Sequence, residues 1–394
     1  MKINSYGLAQ IELMKSNVPT ITKGLSFFKF AILVSLTVFV EGFSQTQAPS
    51  IRTGVTFQWS DTQSSPTDAA TLSSITVDGV VFQTFAAPTA YSMNRLGPNG
   101  HHRNNIIRNG TTVNNNSANA DWNAEALAAF QDKNLNHYFN STYNGRDICG
   151  DFSAISTTDA QIQSLHYSPG IPSNDGGIIA ISERNANNCY YISVFGTPVG
   201  GGPEQFLGDT FVNANSTQSG PQFNAPPTGV DYWNAGRVVE NNGTIGIALF
   251  SLEDLAPVGS VITRVDLTAS TVDHGDGKFF ILQRYAIPKN ETNCKNVEFH
   301  GTVNGSNVPT GSTFSLVSGP TPVGQSFTFN TDGTYSYMPT PGFTGDVVFE
   351  YEVCLPAPNA STCDSSTVTI TFEDGPLSGC ECSSGNADGP MLQN

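Results

Sequence analysis

The residues with the most chemical potential sit in apparent loops. Asp273-His274-Gly275-Asp276-Gly277 lies between two runs that read as strands, rich in Val, Thr, Phe and Ile. Asp273 and Asp276, with neighbouring carbonyls, can hold a hard cation, since calcium takes about six to eight oxygens in a flexible loop. The same residues also serve a tight turn, where Asp caps and Gly accepts positive φ. No glutamate follows to close an EF-hand cage, so Ca2+ is one option and a plain turn the other. Tyr232-Trp233, in TGVDYWNAG, is the candidate ligand-binding pair, because exposed aromatic rings stack on sugars whereas buried ones build core. Trp59 and Trp122 lie on apolar faces and are expected in the core.

Catalytic patterns are scarce. Glu204, Asp209, Glu240 and Glu253 could pair as glycosidase carboxylates about 5–9 Å apart, a signal that any acidic β protein offers. His101-His102 point apart on an extended chain, so a metal shared with His137 or His166 competes with a solvated loop. There is no G-x-S-x-G elbow, H-E-x-x-H pair or Walker loop. Gly200-Gly201-Gly202 runs into Pro203 and no helix follows to cradle a phosphate. The expectation is a non-enzyme without catalytic residues.

Seven cysteines cannot all pair within one chain. Cys149 and Cys189 are the only two in the first 288 residues and are expected to bond. Cys354 and Cys363 bracket LPAPNAST; joined, they close a short loop worth roughly 2–3 kcal/mol in the chain-entropy model. Cys380 or Cys382 is expected to take Cys294. The spacing supports no zinc site.

These loops need elements to hold them, and the elements read as strands. In GDVVFEYEVC, Val347, Phe349, Tyr351 and Val353 alternate with Val348, Glu350, Glu352 and Cys354, the period of a strand buried on one side. STVTITF repeats it with Val368, Ile370 and Phe372. Asp332-Gly333 and Asp78-Gly79 sit between alternating runs as hairpin turns. Upstream, GVTFQW, IIAISERNANNCYYISVF, GTIGIALFSL, SVITRVDLTAS and KFFILQRYAI read as further strands. One helix interrupts: Asp121 caps WNAEALAAFQDKNLNHYF, with Ala126, Leu127, Phe130 and Tyr138 as its apolar stripe. Residues 95–120 read as a long polar loop.

Composition sets the outer bounds. The chain has 394 residues and a formal charge of −16. Residues 1–44 read as an export signal, with Lys23 and Lys29 before the apolar run FAILVSLTVFV and a cleavage point near Ser44. Without them, 13 basic face 31 acidic residues, a balance that repels nucleic acid. The run is too short to span a bilayer, and no other segment of the mature chain could.

The run DGTYSYMPTPGFTGDVVFEYEVC, followed by CDSSTVTITF, resembles the bacterial immunoglobulin-like, cadherin-like modules repeated in large surface and adhesin-type proteins. Some relatives bind calcium between modules; here Asp346, Glu350, Glu352 and Asp364 form no DxDxDG-type loop. RTGVTFQWSDTQ, AFQDKNLNHYF, ICGDFSA and DHGDGKFFIL resemble the N-terminal module of exported surface proteins of gliding, gram-negative bacteria. Those proteins are often longer, so the chain is expected to be a fragment or a short member.

The expected architecture is all-β: a signal peptide (1–44), a jelly-roll-like β-sandwich with one helix (50–288), a smaller immunoglobulin-like sandwich (290–373) and a flexible tail (374–394). The expected protein is secreted or on the outer cell surface. It is a non-catalytic binding or adhesion protein whose partner is a surface protein or a glycan. A lectin-like carbohydrate-binding protein is the alternative, and a polysaccharide hydrolase a more distant one.

Overall fold

The computed structural model describes residues 47–95, 104–108, 111–114, 122–141, 149, 160–174, 176–214, 225–239, 243–270, 276–305, 307–357, 360 and 363–374. They fold almost entirely into strands, with two helices among them, Trp122–Phe130 and Leu252–Leu255.

The larger module is built in layers. Its centre is an eight-stranded sheet containing Ile178–Arg184, Gly243–Ser251 and Asp276–Gln283. A five-stranded sheet covers one face through a core of Ile179, Ile181, Ile192, Val194, Val265, Phe279 and Ile281. A three-stranded sheet, Val55–Trp59, Leu72–Val77 and Val80–Phe82, covers the other through Leu72, Ile75, Ile178, Ile247 and Phe280. Burial on both faces explains why IIAI is an unbroken apolar run, as sheets covered on both sides require. The five-stranded sheet has only its inner face in the core, and its strands alternate. Asp78 and Gly79 both take positive φ, 48° and 88°, and form the expected hairpin between Leu72–Val77 and Val80–Phe82.

Cys149 bonds Cys189, and Cys354 bonds Cys363. Cys294 is also disulfide-bonded, to a partner outside the described residues. The export signal, His101, His102, Asp121, Cys380 and Cys382 lie outside them too.

Two expectations need correction. Within the expected polar loop, Asn104–Arg108 and Thr111–Asn114 pair as a hairpin, and Ile106 and Ile107 are buried. The expected long helix stops at Phe130; the rest of that segment turns and then runs into strand Tyr138–Ser141. The ammonium of Lys278, only 1% exposed, sits at the stop. Its Nζ donates to the carbonyls of Ala129 (2.8 Å), Asp132 (2.9 Å) and Asn134 (3.1 Å) and to Asp132 Oδ1 (3.2 Å), so these carbonyls bind an ammonium instead of continuing a helix. Asp132 and Asn134 reinforce the turn by accepting from the backbone N–H two residues on.

Partial burial pushes the Asp132 carboxyl up, but the His137 hydrogen bond (2.6 Å) and the Lys278 charge outweigh it and hold it at about 2, against 3.8 for a free group. The folded form therefore stays ionised where the unfolded chain is already protonated. Its stabilisation is complete above pH ~4 and is lost as pH falls through about 2. After allowance for its partly exposed side chain it amounts to roughly 1 kcal/mol. Urea midpoints between pH 5 and 2 should fall less steeply in Asp132→Asn than in the parent; equal slopes would refute the assignment.

The smaller module pairs a four-stranded sheet, with Thr313–Thr321, Gly345–Cys354 and Cys363–Glu373, against the three strands Phe299–Thr302, Ser326–Phe329 and Thr334–Met338. Val347, Phe349, Tyr351, Val353, Val368, Ile370 and Phe372 face inward as the alternation predicts. The turn at Asp332-Gly333 joins Ser326–Phe329 to Thr334–Met338, and Asp332 Oδ1 accepts from Thr334 N at 2.9 Å.

Candidate functional site

The outer face of the five-stranded sheet is the most chemically equipped surface among the described residues. Its strands run in the order Gln205–Val212, Tyr190–Thr197, Val261–Ser270, Ala160–Pro172, Ala90–Arg95. Leu165, Ile192, Val194, Val265 and Leu267 point into the core, so the alternate positions point out. Cross-strand register aligns them in rows. One row reads Ser92, Ser164, Asp266, Ser193, Asp209. On one side of it lies Ala90, His166, Arg264, Phe195, Phe206, and on the other side Ile162, Thr268, Tyr191 and Phe211. At strand spacing a row is about 19 Å long, and neighbouring rows are about 7 Å apart. The serine–aspartate row is short in side chain and recessed, so it forms a polar floor between bulkier borders.

Arg264 is held in a fixed plane on this face. Its guanidinium lies 4.0 Å from the Phe195 ring centroid. Its Nε faces Asp266 Oδ1 at 3.5 Å, and its NH2 faces Glu204 Oε1 at 3.6 Å. Thr263 Oγ1 donates to Glu204 Oε2 at 2.6 Å, fixing that carboxylate in turn. Asp266 is 8% exposed. Burial raises its pKa, opposed by a hydrogen bond from Ser164 and the Arg264 charge. Neither Asp266 Oδ1 nor Arg264 Nε makes a hydrogen bond, so the two are paired by charge alone. Burial also raises Asp209, which accepts from the Tyr191 hydroxyl. Phe206, 44% exposed, packs edge-on against Phe195. The face thus combines an oriented planar cation, carboxylate and hydroxyl acceptors, and an exposed ring.

Ser92 Oγ and His166 Nε2 lie 3.3 Å apart at one end of the face. A serine nucleophile also needs an acid that orients the histidine. The nearest acid in the rows, Asp266, interacts with Ser164, Arg264 and the His166 charge.

The expected site residues fare differently. Tyr232 and Trp233 are 1% and 4% exposed, so their assignment to a binding surface is wrong. Trp233 opens a strand of the central sheet, and consecutive side chains there point into the two cores on either side. Tyr232 OH donates to Asn188 O at 3.0 Å, and Trp233 Nε1 to Ile51 O at 2.8 Å. The segment around Ser50–Arg52 seals them in, because Ser50 Oγ and Arg52 both bind Asp231. Asp273 lies outside the described residues, while Asp276 opens strand Asp276–Gln283 opposite Asn140. Glu204 and Asp209 reach the five-stranded face; Glu253 sits on the short helix Leu252–Leu255, and Glu240 is outside the described residues. Among the described residues one group of potential metal ligands converges, Glu352 with Cys354 and Cys363, and the disulfide removes both thiolates. Sequence reasoning missed Arg264, Asp266, Phe195 and Phe206. A signal was present: Tyr191, Phe195, Phe206 and Phe211 put aromatic rings on positions that alternation assigns to solvent.

No curated protein matches the chain. Among solved structures, a glycoside hydrolase domain of Endo-D from Streptococcus pneumoniae R6 aligns at 13% identity and TM-score 0.24, over 82% of this chain and 43% of that one. A SusE-like, surface-located polysaccharide-binding protein from the Bacteroides thetaiotaomicron heparin utilisation locus aligns at 13% identity and TM-score 0.19, over 81% of this chain and 53% of that one. The chain thus spans about half the length of either structure, and likenesses this faint do not bear on its activity. Residues 286–371 match the family described as the bacterial Ig domain, and the smaller module is accordingly an immunoglobulin-like domain.

Proposed function

We propose that this is a non-catalytic binding protein of the cell surface or extracellular space, which takes a carbohydrate on the outer face of its five-stranded sheet. The Ig-like domain serves as its spacer. The observation that carries the proposal is Arg264, laid on Phe195 and held by Asp266 and Glu204 beside the exposed ring of Phe206. A sugar offers hydroxyls to such polar groups and C–H faces to such a ring. Disulfides in both modules support an oxidising location. Among the described residues no helix is long and apolar enough to cross a membrane.

A glycan array probed with the whole chain tests this. Phe206→Ala should weaken the strongest signal by about tenfold, the range of a well-placed contact residue, without lowering the melting temperature; Arg264→Ala should weaken it as much, with a loss of melting temperature because the buried Asp266 carboxylate is left without its counter-charge. The bound glycan should be recovered uncut. A signal indifferent to both variants, or new chain ends dependent on Ser92, would refute the proposal.

A further inference from the structure

We infer that the five-stranded face selects an uncharged polysaccharide with free hydroxyls and rejects polyanions. The inference rests on the binding face proposed above and concerns the chemistry of its ligand. Three carboxylates, Glu204, Asp209 and Asp266, stand on or beside the face, and the one permanent cation among the row residues is Arg264. Two carboxylates already offset that cation: Glu204 and Asp266 face its NH2 and Nε at 3.6 and 3.5 Å, and Phe195 covers one side of its plane. A sulfate or uronate approaching its remaining nitrogen would face these carboxylates and Asp209.

A hydroxyl meets the opposite situation. A carboxylate has about four acceptor positions. Asp209 is half-buried and accepts from the Tyr191 hydroxyl. Glu204 is exposed and accepts from the Thr263 hydroxyl through Oε2. The acceptor capacity of these two carboxylates therefore exceeds the donors the chain supplies to them. A sugar hydroxyl donates to a carboxylate in a charge-assisted bond, about twice as strong as a neutral one. Ser92, exposed on the same row, can donate or accept. A ligand carboxylate or sulfate has only acceptors to offer the acids. The chain's charge of −16 adds a long-range field that disfavours the approach of a polyanion. Asp209 and Glu204, on the open side, are the contact acids. Asp266 is a positioning residue that fixes Arg264.

Affinity electrophoresis of the whole chain tests the inference, using gels that contain xylan, galactomannan or mixed-linkage β-glucan, and parallel gels with heparin, alginate or polygalacturonate. Retardation is expected in at least one neutral gel and in none of the polyanion gels. Asp209→Asn should weaken the neutral interaction by about tenfold with an unchanged melting temperature. Retardation by a polyanion, abolished in Arg264→Ala, would overturn the ligand class and leave the binding face standing. Neutral binding untouched by Asp209→Asn would remove the carboxylates from the selection and overturn the inference alone. No retardation in any gel, or retardation indifferent to Arg264→Ala, would overturn the face and the inference together.

Discussion

Lys278→Met is expected to destabilise the larger module by about 3–5 kcal/mol, the cost of leaving several acceptors around a buried donor unsatisfied. The ammonium of Lys278 ties strand Asp276–Gln283 of the central sheet to the end of helix Trp122–Phe130 and the turn after it. Burial pulls its pKa down to about 8 against the opposing pull of Asp132, so it is charged at neutral pH. Methionine fills similar space without a donor. Three buried-side carbonyls and the Asp132 carboxylate then lose their shared cation, and each unsatisfied group carries its own desolvation cost. Domains of this kind are stable by only about 5–15 kcal/mol, so the variant should unfold at a much lower urea concentration. The double variant Lys278→Met with Asp132→Asn should lose less than the sum of the two single changes, since the second removes a charge that the first leaves unpaired. A loss below about 1 kcal/mol for Lys278→Met would show that the cage rearranges or hydrates at little cost.

The same lysine shows where sequence reasoning reaches its limit. The stripe Ala126, Leu127, Phe130, Tyr138 has helical spacing, and it outweighed the local turn signal of Asp132 and Asn134, which bind the backbone two residues on. The cation that holds the turn lies 146 to 149 positions along the chain, and no window on the segment contains that information. Strands fared better because their signals are local. Val347, Phe349, Tyr351 and Val353 alternate, and Asp-Gly pairs accept the backbone angles of a hairpin turn, so the Ig-like domain was legible almost strand by strand. The hairpin holding Ile106 was not, because two buried isoleucines amid asparagine and threonine give too weak a pattern. Tyr232 and Trp233 misled for a related reason. Neighbours such as Asp231, Asn234 and Gly236 look like loop residues, while the cover over the rings comes from residues near Ser50.

The binding face was hidden by dispersion. Ser92, Ser164, Ser193, Asp209 and Asp266 come from five strands and become neighbours only through register. On each strand alone, the residue is an ordinary polar position with nothing to mark it. Glu204 and Asp209 had been singled out as acids, but their setting beside Arg264 and Phe195 depends on pairing that periodicity cannot supply. Only the excess of rings at outward positions marked the sheet as more than a solvated surface.

Asp364→Ala should loosen the attachment of the Ig-like domain to the larger module, with a loss of about 2–4 kcal/mol from two orphaned buried N–H groups. Sequence reasoning had considered Asp364 as a calcium ligand. The structure instead buries it at the junction, where its Oδ2 accepts from Tyr285 N (3.1 Å) and Ala286 N (2.9 Å). Around it, Tyr351 OH accepts from Ile287 N at 3.0 Å and donates to Ile287 O at 2.8 Å. Asn307 Nδ2 donates to the carbonyls of Arg284 (2.7 Å) and Tyr285 (3.1 Å), and Arg284 NH2 to Ser365 O (3.0 Å). The linker is thus fastened to the domain that follows it, and Thr84 adds a bond from the larger module to Asn307 O. Burial raises the Asp364 pKa, and its amide donors and Arg284 oppose that. Asp364→Asn, which keeps an oxygen acceptor, should therefore recover most of the loss. Scanning calorimetry distinguishes the outcomes. The parent should unfold the two modules in one transition, Asp364→Ala should split it, with the Ig-like domain melting first, and Asp364→Asn should largely restore it. A single, unmoved transition in Asp364→Ala would mean that the two modules are fastened elsewhere and that the clasp is incidental.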